Sequence, residues 1–280
     1  MCRDVPSAGG AQPLPRPSGS DGPFPSSVPG WEIEFYACLD STSLEGKRRL
    51  SQDLNKKSLI IAEMQTNGQC RHDRLWESLQ GKGLWASFIL PVFVSADVLP
   101  QSTLVLAVAV REGIREATGI SLLAKWPNDL LGDGRKCCGL LVETTAPPYN
   151  GAVPLILGVG INCTHKEAEF PPHLQKTATS LSLLADGAPL SRNAVLMAVA
   201  RNVDVWFAVW ESQGFAPIRH AWIEGNCTLN KAVLLPEGYG YADGTALDID
   251  DSGALIVQTV NGTMIRVDSG EILFAGKETH

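Results

Sequence analysis

Apolar and polar residues follow two patterns along the chain, one typical of strands and one typical of helices. Continuous or alternating apolar runs predict strands at residues 31–39, 58–64, 84–90, 121–126, 139–144 and 154–162. Apolar residues at helical spacing predict helices at residues 44–55, 101–117 and 192–212. Because strands and helices are interspersed, this part of the chain predicts an α+β domain.

Capping residues support the three predicted helices. The polar run at residues 40–43 can cap the first helix, Gly119 can end the second, and Ser191 can begin the third. The third helix also has an apolar stripe, which we interpret as core packing rather than a ligand site. Its members are Val195, Val199, Val203, Trp206 and Trp210.

The pattern changes after about residue 225. Turn sequences such as Asn261-Gly262 separate four short strand-like runs, at residues 231–235, 240–248, 254–260 and 263–267. These runs predict a small antiparallel β-barrel. The first thirty residues are rich in Pro, Gly and Ser and predict a flexible tail. The predicted organisation is therefore a tail (1–30), a larger domain (31–224) and a barrel (225–280).

Charge and composition exclude several classes of protein. A net charge of −7 and the lack of a long basic run argue against nucleic-acid binding. The seven cysteines include no C-x-x-C pair, and the five histidines show no metal-ligand spacing, so we expect no structural zinc site. Scattered thiols favour a reducing cytoplasm. No apolar run reaches the ~20 residues that span a bilayer, so we expect no membrane association.

The segment Lys-Trp-Pro-Asn-Asp at residues 125–129 is the strongest candidate for chemistry. Lys125 places a cation at the end of an apolar strand, Pro127 turns the chain, and Asn128 and Asp129 add polar groups nearby. This combination suits an anion such as a carboxylate or a phosphate, with an acidic neighbour that could orient the lysine or a metal. Taken alone, the same residues are somewhat more typical of an ordinary strand end followed by a turn.

Five motifs occur in an order that matches a known family. They are D-S-T-S at 40–43, A-E-M-Q-T at 62–66, K-W-P-N-D at 125–129, R-K-C-C-G-L-L-V-E at 135–143 and G-V-G-I-N at 158–162. The segments 253–255 and 270–272 also resemble the ends of that family's C-terminal barrel. Through these motifs, which cover nearly everything from residue 31 to residue 273, the chain resembles the biotin protein ligases.

This resemblance implies a fold and a reaction. The fold is a mixed-sheet catalytic domain of the biotin/lipoate-ligase type, followed by a small SH3-like β-barrel. In the reaction, the biotin carboxylate attacks the α-phosphorus of ATP to form biotinyl-adenylate, and an acceptor lysine then takes the biotin and releases AMP. The implied partners are biotin, ATP with Mg²⁺, and the biotin carboxyl carrier domain of a carboxylase. A homodimer is compatible with the family.

The resemblance also implies roles for individual residues. Lys125 would bridge the biotin carboxylate and the α-phosphate, and Arg71 would neutralise the same charge from a loop. The biotin-binding set is Ser41, Thr42, Ser43, Gln65, Gln69, Cys70, Arg71 and Lys125. The ATP-binding set is Arg71, Trp76, Asn128, Asp129, Lys136, Gly160 and Asn162, with Asp129 as a candidate Mg²⁺ ligand.

The nucleotide loop departs from the family pattern. Where the family reads G-R-G-R-x-G-R-x-W, this chain has Gly68-Gln69-Cys70-Arg71-His72-Asp73-Arg74-Leu75-Trp76. One arginine and two glycines are replaced and a carboxylate is added, which weakens the positive field around an anionic intermediate. We therefore expect an active ligase that holds biotinyl-adenylate less tightly than the consensus loop would.

Two other functions are compatible with parts of the sequence. A lipoyl or octanoyl ligase or transferase shares the catalytic fold, and Cys163 follows the strand at 158–162, where it could act as the transferase nucleophile. A non-catalytic biotin-binding protein would account for the altered loop. The first thirty residues are too few and too polar for the helix-turn-helix domain of some relatives, so we expect no DNA binding.

Overall fold

The computed structural model describes residues 24, 27–50, 57–71, 74–144, 148, 150–235, 239 and 243–275. Most of the predicted tail, residues 1–30, lies outside this part of the chain. Two residues within it are nevertheless buried, Phe24 and Val28, and the rings of Phe24 and Phe35 lie 5.6 Å apart. Because these two side chains join the main core, the packed chain begins before Trp31.

The described strands form two larger sheets and a short hairpin. In chain order they are β1 (Glu32–Tyr36), β2 (Ser58–Ala62), β3 (Gly68–Gln69), β4 (Leu75–Trp76), β5 (Gly83–Val92), β6 (Leu123–Lys125), β7 (Asp129–Gly132), β8 (Arg135–Glu143), β9 (Val153–Asn162), β10 (Ala232–Leu234), β11 (Asp243–Ile249), β12 (Leu255–Thr259), β13 (Met264–Val267) and β14 (Leu273–Phe274). The first larger sheet has the order β1-β2-β5-β9-β8-β7-β6. The pair β1 and β2 is parallel and the other neighbours are antiparallel, so the predicted mixed sheet is confirmed.

Helices cover both faces of the mixed sheet. Within the described residues they are α1 (Thr42–Leu50), α2 (Ser102–Thr118), α3 (Leu181–Leu184), α4 (Arg192–Gln213) and α5 (Ala216–Glu224). α1 covers a small apolar cluster that includes Ile60, Ile89 and Ile156. α2, α4 and α5 pack over the opposite face, where Leu59 and Ile61 point into the main core. The face beneath α1 carries the candidate site.

The first two helices have the predicted caps. α1 begins two residues earlier than predicted, and the N–H of Ser43 donates to Oγ of Ser41 at 3.2 Å. This bond satisfies one of the N–H groups that a helix start leaves without a partner. α2 ends at Gly119, whose φ of 73° is readily adopted by glycine.

The third predicted helix is also confirmed, and several short elements were not predicted. Oγ of Ser191 accepts from the N–H of Ala194 at 3.2 Å at the start of α4, and the apolar stripe is buried except for the half-buried Trp206. Among the described α-helices and strands, those that the sequence did not predict are α3, α5, β7, β14 and the hairpin β3–β4. Each of them is too short to show a clear apolar period.

The C-terminal sheet, residues 232–274, is antiparallel with the order β13-β12-β11-β10-β14. It is fastened to the segment at 125–129, because the indole N–H of Trp126 donates to the carbonyl of Gly253 at 3.0 Å. The domain boundary at residues 224 and 225 stays a prediction. Among the described residues, no helix is long and apolar enough to cross a membrane.

Candidate active site

One row of residues crosses the seven strands of the mixed sheet on the face beneath α1. Residues opposite each other on neighbouring strands point to the same face, so the strand register defines the row. Its members, from β1 to β6, are Tyr36, Ala62, Trp85, Gly160, Gly139, Asp129 and Lys125. The row therefore contains three of the predicted site residues, Gly160, Asp129 and Lys125. In the sequence, Lys125 and Gly160 are 35 positions apart.

Two adjacent members of this row, Gly139 and Gly160, form a flat area that we call the glycine platform. The indole of Trp76, from the hairpin β3–β4, lies on it. A Cβ at residue 139 would come within 2.4 Å of this ring, and one at residue 160 within 2.9 Å. The edge of Trp85 lies beside it, with ring centroids 6.1 Å apart. The platform therefore requires glycine, because any side chain would displace Trp76.

Lys136 lies beside the glycine platform. Its ammonium pairs with Asp129 at 2.7 Å and lies 5.2 Å from the centre of the Trp76 ring. Its Cε would be 3.2 Å from a Cβ at Gly139. A lysine held by a carboxylate and an aromatic face in this way is a cation ready to meet an anionic ligand.

A β-bulge brings Lys136 to this face. Leu130 pairs with Cys138, but Leu131 pairs with Lys136, so Cys137 is an extra residue in β8. Cys137 and Cys138 are both fully buried in the core on the other side. Strict alternation along β8 would have turned the lysine away from the platform, and the bulge reverses its direction.

Four polar side chains meet at the start of α1 and form what we call the polar pocket. Oγ of Ser87 lies 2.8 Å from Oγ1 of Thr42 and 3.1 Å from Oγ of Ser43. Oε1 of Gln65 accepts from the N–H of Thr42 at 2.8 Å and from its hydroxyl at 3.2 Å. These groups are buried except for the half-buried Gln65, and they offer both donors and acceptors.

Gly158 forms the floor of the polar pocket. It lies on β9 opposite Ser87, two residues before Gly160. A Cβ there would be 2.8 Å from Oγ of Ser43, so glycine keeps this space open. The hydroxyl of Ser41, which is also buried, accepts from the N–H of Ser43 and so caps α1.

Arg71 connects the nucleotide loop to the C-terminal sheet. Its guanidinium donates to the carbonyl of Gly270 at 3.1 Å, and Arg74 pairs with Glu271 at 2.7 Å. Burial lowers the pKa of Arg71, although a guanidinium stays charged at neutral pH. Together with Asn128, Arg71 lines a cavity of about 370 Å³ between the mixed sheet and the C-terminal sheet.

Several predicted site residues have structural contacts of their own. The side-chain amides of Gln69, Asn128 and Asn162 donate to the carbonyls of Asn67, Leu140 and Thr179, at 2.9, 2.7 and 3.0 Å. These bonds shape the loop, the 126–128 turn and the end of β9. Burial raises the pKa of the Cys70 thiol, which keeps it neutral. The ammonium of Lys125 lies 5.3 Å from the centre of the Phe274 ring, one strand beyond Asp129.

Ser87 and Gly139 belong to the site although the sequence analysis did not select them. Ser87 is a single hydroxyl inside an otherwise apolar, buried strand, and such an isolated polar residue is a usable signal. Gly139 was part of the motif at 135–143, but its position on the glycine platform depends on the pairing with Gly160.

The rival nucleophile, Cys163, is unsuited to catalysis. It is fully buried at the end of β9, and burial raises the pKa of its thiol to about 12. A catalytic cysteine needs an accessible thiolate near neutral pH. The structure therefore provides no support for the transferase hypothesis. Among the described residues, no cluster of three metal-ligating side chains occurs either.

Comparison with known proteins defines the class. The profile of the biotin/lipoate A/B protein ligase family matches residues 35–162, and that of the biotin protein ligase C-terminal domain matches residues 228–274. The fold and the site are thus those of a biotin or lipoate protein ligase with an SH3-like C-terminal domain. The second match distinguishes biotin protein ligases from lipoate protein ligases, because its profile describes the C-terminal domain of the biotin enzymes.

Individual relatives narrow the class further. The bifunctional ligase/repressor BirA of Bacillus subtilis is 33% identical over 85% of this chain and 72% of its own length. The biotin–[acetyl-CoA-carboxylase] ligase of Mycobacterium tuberculosis is 30% identical over 87% of this chain and 90% of its own. The biotin protein ligase of Aquifex aeolicus, solved with biotin and ATP, is 27% identical with a TM-score of 0.71, covering 87% of this chain and 98% of that one. The chain belongs to the biotin protein ligase family, and it is a ligase.

Proposed function

We propose that this ligase forms biotinyl-adenylate from biotin and ATP and transfers the biotin to a lysine of a biotin carboxyl carrier domain. The main support is the placement of Lys136, whose ammonium stands beside the glycine platform at one end of the site, while the polar pocket stands at the other. One end is suited to an anion and the other to an uncharged polar group. Biotin has both, a carboxylate at the end of its chain and a cyclic urea at its head.

The polar pocket fits the head group. A cyclic urea presents two N–H donors and one strong acceptor, which match the hydroxyls of Thr42, Ser43 and Ser87 and the amide of Gln65. Hydroxyls can rotate to donate or accept, so the pocket can satisfy both kinds of ligand group. The same groups are partly satisfied by one another without ligand, which keeps them in position.

Lys136 fits the reacting end. When the carboxylate attacks the α-phosphorus, the bond from that phosphorus to the bridging oxygen breaks and pyrophosphate leaves, while negative charge gathers on the α-phosphate oxygens. A fixed cation facing that charge lowers the barrier, and no nucleophile from the enzyme is needed. Arg71, which is held to Gly270 by one hydrogen bond, can add a second cation from the loop.

Lys125 was predicted to hold this position, and the geometry favours Lys136 instead. Lys125 occupies the end of the row and faces Phe274, whereas Lys136 contacts both Asp129 and Trp76. We keep Lys125 as a peripheral cation whose contribution is smaller. Trp76 and Gly160 would border the nucleotide, and Asn162 would act indirectly by holding residue 179 beside β8.

Mg²⁺ with ATP fits the site only as a cation carried by the phosphates. Asp129 is a carboxylate beside the predicted phosphate position, and it is paired with Lys136. Mg²⁺ usually keeps several waters and takes one or two protein carboxylates beside substrate phosphates, so Asp129 alone can serve. The protein's own part in the reaction is then to orient the phosphates through Lys136 and Arg71.

Biotin-dependent exchange of labelled pyrophosphate into ATP tests the first step. We expect exchange with biotin and none with lipoate or octanoate, because the head-group pocket is lined by hydroxyls and an amide. Exchange without a requirement for biotin contradicts the proposal. No exchange with any of the three acids, in a protein that still binds biotin by calorimetry, indicates a binding protein without catalysis.

The altered loop leads to a separate prediction. Gln69 stands where the family pattern has an arginine, so the loop has less positive charge, and the amide of Gln69 donates to the carbonyl of Asn67. Cys70 stands where the family pattern has a glycine. The double change Gln69→Arg with Cys70→Gly should slow release of biotinyl-adenylate by about three- to tenfold, as one added ion contact would. Release is measured by chasing labelled adenylate with unlabelled biotin and ATP.

A control for this prediction adds the same charge elsewhere. His220→Arg changes an exposed residue of α5 and should leave the release rate as it is. If the loop variant releases the adenylate at the wild-type rate, the hypothesis of weak retention is wrong. Two further expectations, a cytoplasmic location and a homodimer, stay predictions.

A further inference from the structure

Glu143 ends the motif at 135–143, yet none of the contacts described so far uses it. It is the last residue of β8 and shares a face with Leu141 and Gly139, because alternate side chains of a strand point the same way. It pairs with Ile156 of β9, and the side chain of Ile156 packs beneath α1. Glu143 therefore stands beside α1 on the face that carries the site.

Ion pairs hold α1 from two sides. On one side, Nζ of Lys47 lies 2.8 Å from Oε1 of Glu143 in β8. On the other side, Nη2 of Arg49 lies 2.6 Å from Oε2 of Glu34 in β1. Between them Gly46 lets the helix approach β9 closely, since a Cβ there would be 3.1 Å from a side-chain carbon of that strand. α1 thus lies across the sheet with one anchor at each side.

The start of this helix carries half of the polar pocket. Thr42 and Ser43 are on α1, whereas their partner Ser87 is on β5 and their partner Gln65 is in the loop between β2 and β3. Lys47 follows Ser43 by four residues, about one helical turn. A small rotation of α1 about its axis would move the two helix hydroxyls relative to their partners. Their positions therefore depend on both anchors.

We propose that Glu143 is a positioning residue for biotin, which through Lys47 fixes the rotation of α1 and so the hydroxyls of Thr42 and Ser43. This proposal rests on the proposed function. Oε2 of Glu143 is buried and has no hydrogen-bond partner within the described part of the chain. The contact of this carboxylate is made through its other oxygen, Oε1, which pairs with Lys47. This pair keeps the carboxylate and the facing helix in a single arrangement.

Glu143→Gln tests the proposal, because it keeps the shape of the side chain and removes its charge. We expect the Kd for biotin, measured by calorimetry on the full chain, to rise about three- to tenfold, the loss expected for one partly exposed ion pair. The KM for ATP and the kcat of pyrophosphate exchange should change by less than about twofold, since Lys136 and the glycine platform are untouched. Lys47→Glu with Glu143→Lys restores the pair with reversed charges and should recover most of the lost affinity.

Lys57→Gln is the matched control. It removes an ion pair of the same length, 2.8 Å, and of similar exposure, between Lys57 and Asp204 on the other side of the sheet. This variant should bind biotin as the wild type does. If Glu143→Gln does not fold, as judged by thermal melting, Lys47→Gln makes the same test from the helix.

The outcomes separate the two proposals. An unchanged Kd for biotin in the variants that break the pair overturns the role of Glu143. An equal rise in the Kd for biotin and in the KM for ATP also overturns this role, because it would reflect a general loosening of the fold. A wild-type protein that binds no biotin at all overturns the proposed function instead.

Discussion

Lys136→Ala is expected to reduce biotin-dependent pyrophosphate exchange by about a hundredfold or more, the loss typical of removing one preorganised charge that faces a transition state. The ammonium lies beside the glycine platform, 2.7 Å from Asp129. Without it, the carboxylate of Asp129 faces the incoming carboxylate and phosphate with no cation between them. Repulsion then adds to the lost stabilisation. The loss should appear mainly in kcat, because the charge develops after both substrates have bound.

Lys125→Ala is the matched comparison, since it removes the same functional group two strands away, on β6. We expect a loss of less than about tenfold, because Lys125 faces Phe274 rather than the glycine platform. Lys136→Arg should recover part of the activity by restoring the charge with a different shape. If Lys125→Ala is the more damaging change, the role implied by the sequence motif is correct and the geometric argument is wrong.

Gly158→Val is expected to weaken biotin binding by about a hundredfold or more, because two methyl groups enter a pocket that must hold a polar ring. Even the first carbon of that side chain would lie 2.8 Å from Oγ of Ser43 and 3.2 Å from the carbonyl of Leu141. The carbonyl belongs to the backbone and cannot move aside, so α1 has to shift. Calorimetric titration with biotin measures the effect.

Val159→Ala is the control, one residue further along the same strand. Val159 is buried on the opposite face, so its truncation should lower the melting temperature through the lost core contacts. Its Kd for biotin should stay unchanged. A Gly158→Val protein that is folded and binds biotin within about threefold of the wild type would show that the head group lies elsewhere.

The sequence predicted the larger elements because each is long enough to show its apolar period and is bounded by a residue with a clear physical role. Gly119 ends α2 and Ser191 begins α4 for reasons that are local. α5 was missed because its nine residues offer only a short apolar stripe, and because Pro217, which is acceptable in a first helical turn, usually suggests a loop. β7 was missed because it has four residues between a turn and a bulge.

The sequence selected several residues that the structure brings together, but it did not predict how they are arranged. The motifs selected Thr42, Ser43 and Gln65, which do lie together. Lys125 received its role from the family motif, whereas the contacts that favour Lys136 depend on the bulge at Cys137, which strict alternation of side chains does not predict. A bulge depends on how neighbouring strands pair, so local sequence does not reveal it. Ser87 could have been selected as an isolated hydroxyl in an apolar strand, but its contacts with Thr42 and Ser43 arise from the packing of α1 over β5.

The place of β9 in the mixed sheet has a consequence for how the chain can acquire its binding site during synthesis. β9 is the last of the seven strands in sequence, yet it lies in the middle of the sheet, between β5 and β8. Until residue 162 has left the ribosome, the earlier strands can form only two separate sheets, each with an open edge. An interrupted product that ends before β9 would expose both edges and be prone to aggregation.

The two glycines at 158 and 160 arrive with that strand. The floor of the polar pocket and the glycine platform therefore form when this strand joins the two halves of the sheet. Before β9 is made, the nascent chain lacks both glycines and therefore lacks the ligand site that they form. A ligand bound at this site cannot assist the earlier strands to fold. It can stabilise the product only once the central strand is in place.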